Sequence, residues 1–128
     1  VAEELLMALQ GSKSVSRLAE CDLKMQKVVL VVAGWYDLAV TCGHRGEEAQ
    51  AQALRDGFSR LPYPESKHNS NPSTAVDLAP WPINWDNVTE WYYLAGLMEA
   101  AARGLDTPIV WGGRWKKLKD LPHFELAG

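Results

Sequence analysis

His68, Asp77 and His123, with Asp120 and Glu125 beside the last of them, are the side chains whose types and spacing can do hydrolytic chemistry. Two imidazoles and one carboxylate form a three-ligand set that leaves the fourth position of a tetrahedral zinc ion open to water. Zinc lowers the pKa of such a water to about 7, and a second carboxylate outside the coordination shell then serves as general base. The local patterns allow this arrangement. If Thr74 to Ala79 is extended, Val76 and Leu78 face the core, while Ala75, Asp77 and Ala79 face the other way. Two methyl-sized neighbours would leave room above Asp77 for a metal or a ligand. In Asp120 to Leu126 the same alternation puts His123 and Glu125 on one face, Phe124 and Leu126 on the other, and Asp120 at the strand entrance before Pro122. Each fragment alone also admits a plainer reading, with Asp77 capping a turn or solvating a strand and each histidine serving structure.

The elements that must position these groups can be read from pattern and punctuation. Glu3 to Gln10 reads as a short helix stopped by Gly11, and Leu23 to Ala33 as a helix capped by Asp22 and ended by Gly34. Leu38 to Cys42 reads as a strand, with Leu38, Val40 and Cys42 on one face. Glu47 to Arg55 is an alanine- and glutamine-rich helix closed by Gly57. Phe58 to Ser73 and Pro80 to Asn87 are loops rich in proline, serine and asparagine. Asn87 or Thr89 caps the longest helix, Glu90 to Arg103, which ends at Gly104. Ile109 to Trp111 and His123 to Leu126 are short strands. Strands this short and polar do not suit a doubly wound parallel sheet. The expected class is α+β, a small, mainly antiparallel sheet flanked by helices.

Composition narrows the function classes. The 128 residues suit one domain, and 13 basic against 16 acidic residues leave a net charge of -3, unlike a protein that grips nucleic acid through a basic face. The longest apolar run, Val28 to Ala33, is far shorter than a membrane span, and no basic n-region marks a secretory signal. Cys21 and Cys42 are too far apart for a zinc ribbon or a C-x-x-C pair and read as small, half-buried hydrophobes. Most of the six tryptophans are expected in the core, with one or two lining a ligand groove. The common metalloprotease, phosphate-loop, dinucleotide and nucleophile-elbow motifs are absent from the chain.

Four segments in order carry a family resemblance: Thr41-Cys42-Gly43-His44-Arg45-Gly46-Glu47-Glu48, Ser66-Lys67-His68-Asn69 with Ala75-Val76-Asp77-Leu78-Ala79-Pro80, Trp111-Gly112-Gly113, and Asp120-Leu121-Pro122-His123-Phe124-Glu125-Leu126. Together they resemble the phage L-alanyl-D-glutamate endopeptidases, which belong with the zinc D-alanyl-D-alanine carboxypeptidases and the vancomycin-resistance D,D-peptidases. The resemblance runs from about Ser16 to Leu126. It implies a hedgehog/D,D-peptidase-like fold, Zn²⁺ held by His68, Asp77 and His123, Asp120 as general base, and Arg45 holding substrate and stabilising the oxyanion. Aspartate rather than glutamate at position 120, and the long gap from His68 to Asp77, resemble the phage branch. The implied activity is therefore hydrolysis of the L-Ala–D-Glu bond of the peptidoglycan stem peptide by a phage or prophage endolysin. The alternatives are a D-alanyl-D-alanine carboxypeptidase and a silent zinc-containing binding module.

Further expectations follow from that reading. Residues 1–128 form a single catalytic domain with no separate cell-wall-binding domain, acting as a monomer without nucleic acid or membrane insertion. Synthesis is in the host cytoplasm, with action on the wall after release across the inner membrane. Glu125 is either an acceptor for a histidine N–H or a solvated strand residue. Ser66 either bonds near the metal or substrate or only shapes a turn. Gln50 could tether the Arg45 turn, and His44 matches no ligand position. The basic run Arg114, Lys116, Lys117 and Lys119 is either a solvated loop or an attractor for anionic stem peptides.

Overall fold

The computed structural model describes residues 8–128. The described residues form four helices and four strands: α1 (Ser14–Ala19), α2 (Leu23–Ala33), β1 (Leu38–Cys42), α3 (Glu47–Arg55), β2 (Ala75–Pro80), α4 (Val88–Gly104), β3 (Ile109–Trp111) and β4 (His123–Leu126). Three-residue 3-10 turns occupy Lys67–Asn69 and Gly112–Arg114. The strands form one antiparallel sheet in the order β1-β2-β4-β3, the expected class.

Local signals explain most boundaries. The Asp22 carboxylate accepts from the Lys24 backbone N–H at 2.9 Å and so caps α2, which buries Met25, Val28, Val29 and Val32. That face packs against Leu94 and Met98 of α4 and covers Val40, Val76, Leu78 and Phe124 of the sheet. One side of the sheet is therefore the core, and the other carries the polar row described below. No helix among the described residues is long and apolar enough to cross a membrane.

Several expectations need correction. Residues 3–7 of the first expected helix lie outside the described residues. From Ala8 to Gln10 the chain is not helical: Leu9 bridges Leu38 as a parallel partner, because an apolar residue there gains more from the strand edge than from an isolated turn. Helix α1 gave no clear signal, since it is only six residues long and has no side-chain cap. Ala75 and Ala79 are fully buried, so space on their face is confined to Asp77. Only Trp91 and Trp111 of the six tryptophans are buried, while Trp35, Trp81 and Trp85 are exposed. Large rings on short loops cannot reach a core already filled by α2 and α4.

The largest correction concerns Cys42. The register runs Leu38 to Pro80, Ala39 to Ala79 and Val40 to Leu78, then slips so that Cys42, not Thr41, faces Asp77. The extra residue is a β-bulge, and a one-residue slip moves a side chain to the opposite face. Cys42 thus leaves the Leu38–Val40 face and joins the polar row.

Candidate active site

Register brings the polar groups together. Cys42, Asp77 and His123 face one another across β1, β2 and β4, and Glu125 faces Ala75 one step along. His68 reaches the same row from the Lys67–Asn69 turn. That turn is held by a reciprocal capping box: Ser66 accepts from the backbone N–H of His68, and Asn69 accepts from that of Ser66. Ser66 accordingly shapes the turn, and it also lines the cleft that reaches His68 and His123.

His68 is 1% exposed, and its Nε2 lies 3.1 Å from Asp77 Oδ1. His123 Nδ1 lies 3.3 Å from the same oxygen. The outer nitrogens face acceptors that carry no proton: Gly43 carbonyl oxygen at 2.7 Å from His68 Nδ1, and Glu125 Oε1 at 2.8 Å from His123 Nε2. Both outer nitrogens must therefore bear hydrogen, which leaves His68 Nε2 and His123 Nδ1 as the nitrogens that can offer a lone pair. Glu125 is further fixed by Lys67 Nζ at 3.3 Å. Imidazoles oriented in this way by a carbonyl and a carboxylate are the usual support of a metal site.

The charges agree with that picture. Burial opposes ionisation of Asp77, but hydrogen bonds from His123 and His68 hold its carboxyl well below the usual carboxylate range. Burial would lower the pKa of His68, yet the bond to Asp77 lifts it to about 10, and His123 is raised in the same way. Without a cation, protons on the inner nitrogens balance Asp77. A metal ion is the other species that can take their place, since binding to histidine displaces protons. Two imidazole nitrogens that both reach one carboxylate oxygen are a donor set of the kind a divalent cation of the zinc class takes.

Among the described residues, the compact group whose ligand atoms all lie within 4.8 Å of one another is Cys42, His68 and Asp77. The chain therefore has a side-chain cluster able to hold a metal, and Cys42 belongs to it, which sequence reading missed. The Cys42 thiol is 3.7 Å from His68 Nδ1, the nitrogen already committed to the Gly43 carbonyl. Only the bulge could have revealed it, and a bulge at Thr41 has no composition signal.

Asp120 and Arg45 stand over the row. Both line two adjoining clefts of ≈ 480 Å³ and ≈ 670 Å³, which share Phe58 and Lys119 and form one groove. The first reaches Asp77 and the second His68 and His123. Burial and the nearby charge of Asp77 push the Asp120 carboxyl above its ordinary range. The buried Nε of Arg45 has no hydrogen-bond partner among the described residues. The backbone at Arg45 is pinned at both ends: its N–H donates to His68 carbonyl at 2.8 Å, and its carbonyl accepts from Asn69 Nδ2 at 2.9 Å. The same amide donates to Gln50 Oε1 at 3.0 Å, so fully buried Gln50 steadies the Arg45 turn through Asn69. His44 instead contacts the Ser70 carbonyl, away from the row. Arg114 is tied to Glu99 outside the groove, whereas Lys117 and Lys119 line it.

Gly112 positions Asp120. Its carbonyl accepts from the Asp120 N–H at 3.0 Å, and a Cβ there would run into the Asp120 carbonyl oxygen. Gly112→Ala is expected to displace Asp120, to crowd His123 Cβ at 3.1 Å, and so to lower turnover. It should also cost about 1–3 kcal/mol of stability, the usual range for overpacking. Steady-state rates alongside denaturant melts check both parts.

Comparison with known proteins decides the family. The profile of the phage L-alanyl-D-glutamate peptidases matches residues 7–126. The chain belongs to the phage L-alanyl-D-glutamate peptidases. Among solved structures, the L-Ala D-Glu endopeptidase ChiX of Serratia marcescens is similar, with a TM-score of 0.80 and 27% identity. The match covers 93% of this chain and 90% of that one. No curated protein sequence matches. This phage-type peptidase is thus a peptidoglycan hydrolase, and the groove over Asp77 is where its polar groups converge.

Proposed function

We propose that the chain is a zinc endopeptidase that cleaves the L-Ala–D-Glu bond of the peptidoglycan stem peptide, with His68, Asp77 and His123 as metal ligands, Asp120 as general base and Arg45 as the oxyanion and substrate-binding residue. The observation that carries the reading is the convergence of His68 Nε2 and His123 Nδ1 on Asp77 Oδ1 beneath a groove holding Asp120 and Arg45. When bound, zinc supplies Lewis acidity for the scissile carbonyl and for water. Asp120 takes the proton of the attacking water and returns it to the leaving amine of D-Glu. Arg45 meets negative charge on the carbonyl oxygen or on a substrate carboxylate. Glu125 and the Gly43 carbonyl hold the imidazoles in register. Lys117 and Lys119 favour an anionic peptide.

The whole domain acts as a monomer on the wall, after synthesis in the host cytoplasm and release across the inner membrane. Digestion of purified peptidoglycan with mass spectrometry of the products tests the bond: new D-Glu N-termini are expected, and free D-Ala as main product would mean a carboxypeptidase instead. Absence of any product would leave a binding module.

Arg45→Ala is expected to lower kcat/KM by about 10²–10³-fold, the size of losing one oxyanion donor. Zinc content and thermal stability should stay near the parent, because the Arg45 backbone rather than its side chain carries the turn. Loss of metal or fold in that variant would make the residue structural.

A further inference from the structure

The exposed tryptophans are not explained by the peptidase groove alone. At the far end of β2 lies a second cleft of ≈ 580 Å³, between the end of α2, the loop after Pro80 and the first turn of α4. Trp35, 59% exposed, and Trp81, 41% exposed, line it. Its polar groups are Tyr36, Asp37, Asn84, Asn87 and Glu90, and among the described residues no lysine or arginine lines it. Tyr36 donates to Glu90 and so holds that carboxylate in place. A cleft of this kind is poorly suited to an anionic peptide or lipid headgroup. It suits a neutral, polyhydroxylated ligand with flat apolar faces, which stacks on indole and hydrogen-bonds through amides and carboxylates.

The cleft and the peptidase groove lie on either side of one short loop. The loop between them places Trp81 and Asn84 on one side and Trp85 on the other. Trp85 stacks on Trp91 at 4.6 Å, and Trp91 Nε1 donates to the Asn84 carbonyl at 2.9 Å, so the loop is a fixed ridge. Reach agrees as well. In peptidoglycan the L-Ala–D-Glu bond is separated from the amino sugar by the L-Ala residue and a lactyl group, a span of roughly 7 Å at extended-chain lengths. Pro80, which lines the cleft, is three residues along β2 from Asp77, roughly 10 Å.

We infer that the Trp35–Trp81 cleft is a saccharide subsite that binds the glycan strand of peptidoglycan next to the stem peptide being cut. This rests on the proposed function for the identity of the polymer. The tests use the whole chain. Peptide-free glycan strands and an N-acetylglucosamine tetramer are titrated against it with tryptophan fluorescence and amide NMR as readouts. Saturable binding is expected, with amide shifts centred on Asn84 and Asn87. Trp35→Ala, at an exposed position, is expected to weaken it about five- to tenfold, as for loss of one aromatic stacking contact. Asn87→Ala, as a second variant at a side chain that makes no cap hydrogen bond, should weaken it in the same direction. Cleavage of a sugar-free L-Ala–D-Glu–diaminopimelate peptide should be unchanged in both, while cleavage of intact peptidoglycan falls. No saturable binding by the parent, or unchanged affinity in both variants, overturns the inference. So does self-association through this face in sedimentation, which would assign it to a second copy. Failure of the parent to cut the sugar-free peptide while still binding glycan would count against the peptidase reading and leave the subsite standing.

Discussion

Asp120→Asn is expected to fold, to keep stoichiometric zinc and to lose at least about 10²-fold in kcat, the contribution typical of a positioned general base. The amide keeps the shape of the side chain but cannot accept the proton of the attacking water. The residue sits in the groove with Arg45, over Asp77, and its backbone is locked to Gly112 and His123. In the metal-free chain, burial and the Asp77 charge disfavour the anion and push its carboxyl above the usual aspartate range. The same shift has a stability consequence. A raised folded pKa means that the native state binds this proton more tightly than the unfolded chain does, so ionised Asp120 costs stability at neutral pH. Metal-free Asp120→Asn should therefore melt higher than the metal-free parent at pH 7. The difference should shrink as pH falls through the raised pKa and vanish below the ordinary aspartate value. Thermal melts after chelation, at several pH values, check the sign. Near-parental peptidoglycan hydrolysis by this variant would remove Asp120 as base and make Glu125 the next candidate, although Glu125 is already committed to His123 and Lys67.

Replacing His68 or His123 with alanine is expected to abolish both bound zinc and activity. Each ring supplies one of the two nitrogens facing Asp77 Oδ1, at 3.1 Å and 3.3 Å, and three protein ligands cannot lose one and remain a tight site. Metal analysis of the purified variants, with circular dichroism to establish that they are folded, separates loss of metal from loss of structure. His44→Ala is the control, since that ring contacts Ser70 and should leave zinc in place. Cys42→Ser is informative beside them: if the thiol only neighbours His68 Nδ1, the nitrogen turned to Gly43, zinc should be retained. Stoichiometric zinc in His68→Ala combined with loss in Cys42→Ser would transfer the ligand role to the thiol.

Much of this was legible in residue order. The cap at Asp22, the alternation in Ala75–Pro80 and His123–Leu126, and the Gly and Pro punctuation predict α2, α3, α4 and all four strands within a residue or two. Those are local effects of backbone and side-chain period, which is why sequence suffices for them. The resemblance in four ordered segments pointed to His68, Asp77, His123, Asp120 and Arg45, and the family match over residues 7–126 shows the family. What failed was non-local. The placement of tryptophans depends on how much core space α2 and α4 leave, and no count of aromatic residues contains that.

The sequence by itself determined which chemistry-bearing residues exist and which local elements carry them. Tertiary structure alone decided that they meet. Antiparallel register sets Asp77 opposite His123, a bulge turns Cys42 onto their face, and Gly43 brings its carbonyl to His68 where any Cβ would strike the backbone of Arg17. These contacts join residues tens of positions apart. Their geometry is set by strand pairing and close packing of the whole chain, and a one-residue change of register would send Asp77 to the wrong side of the sheet.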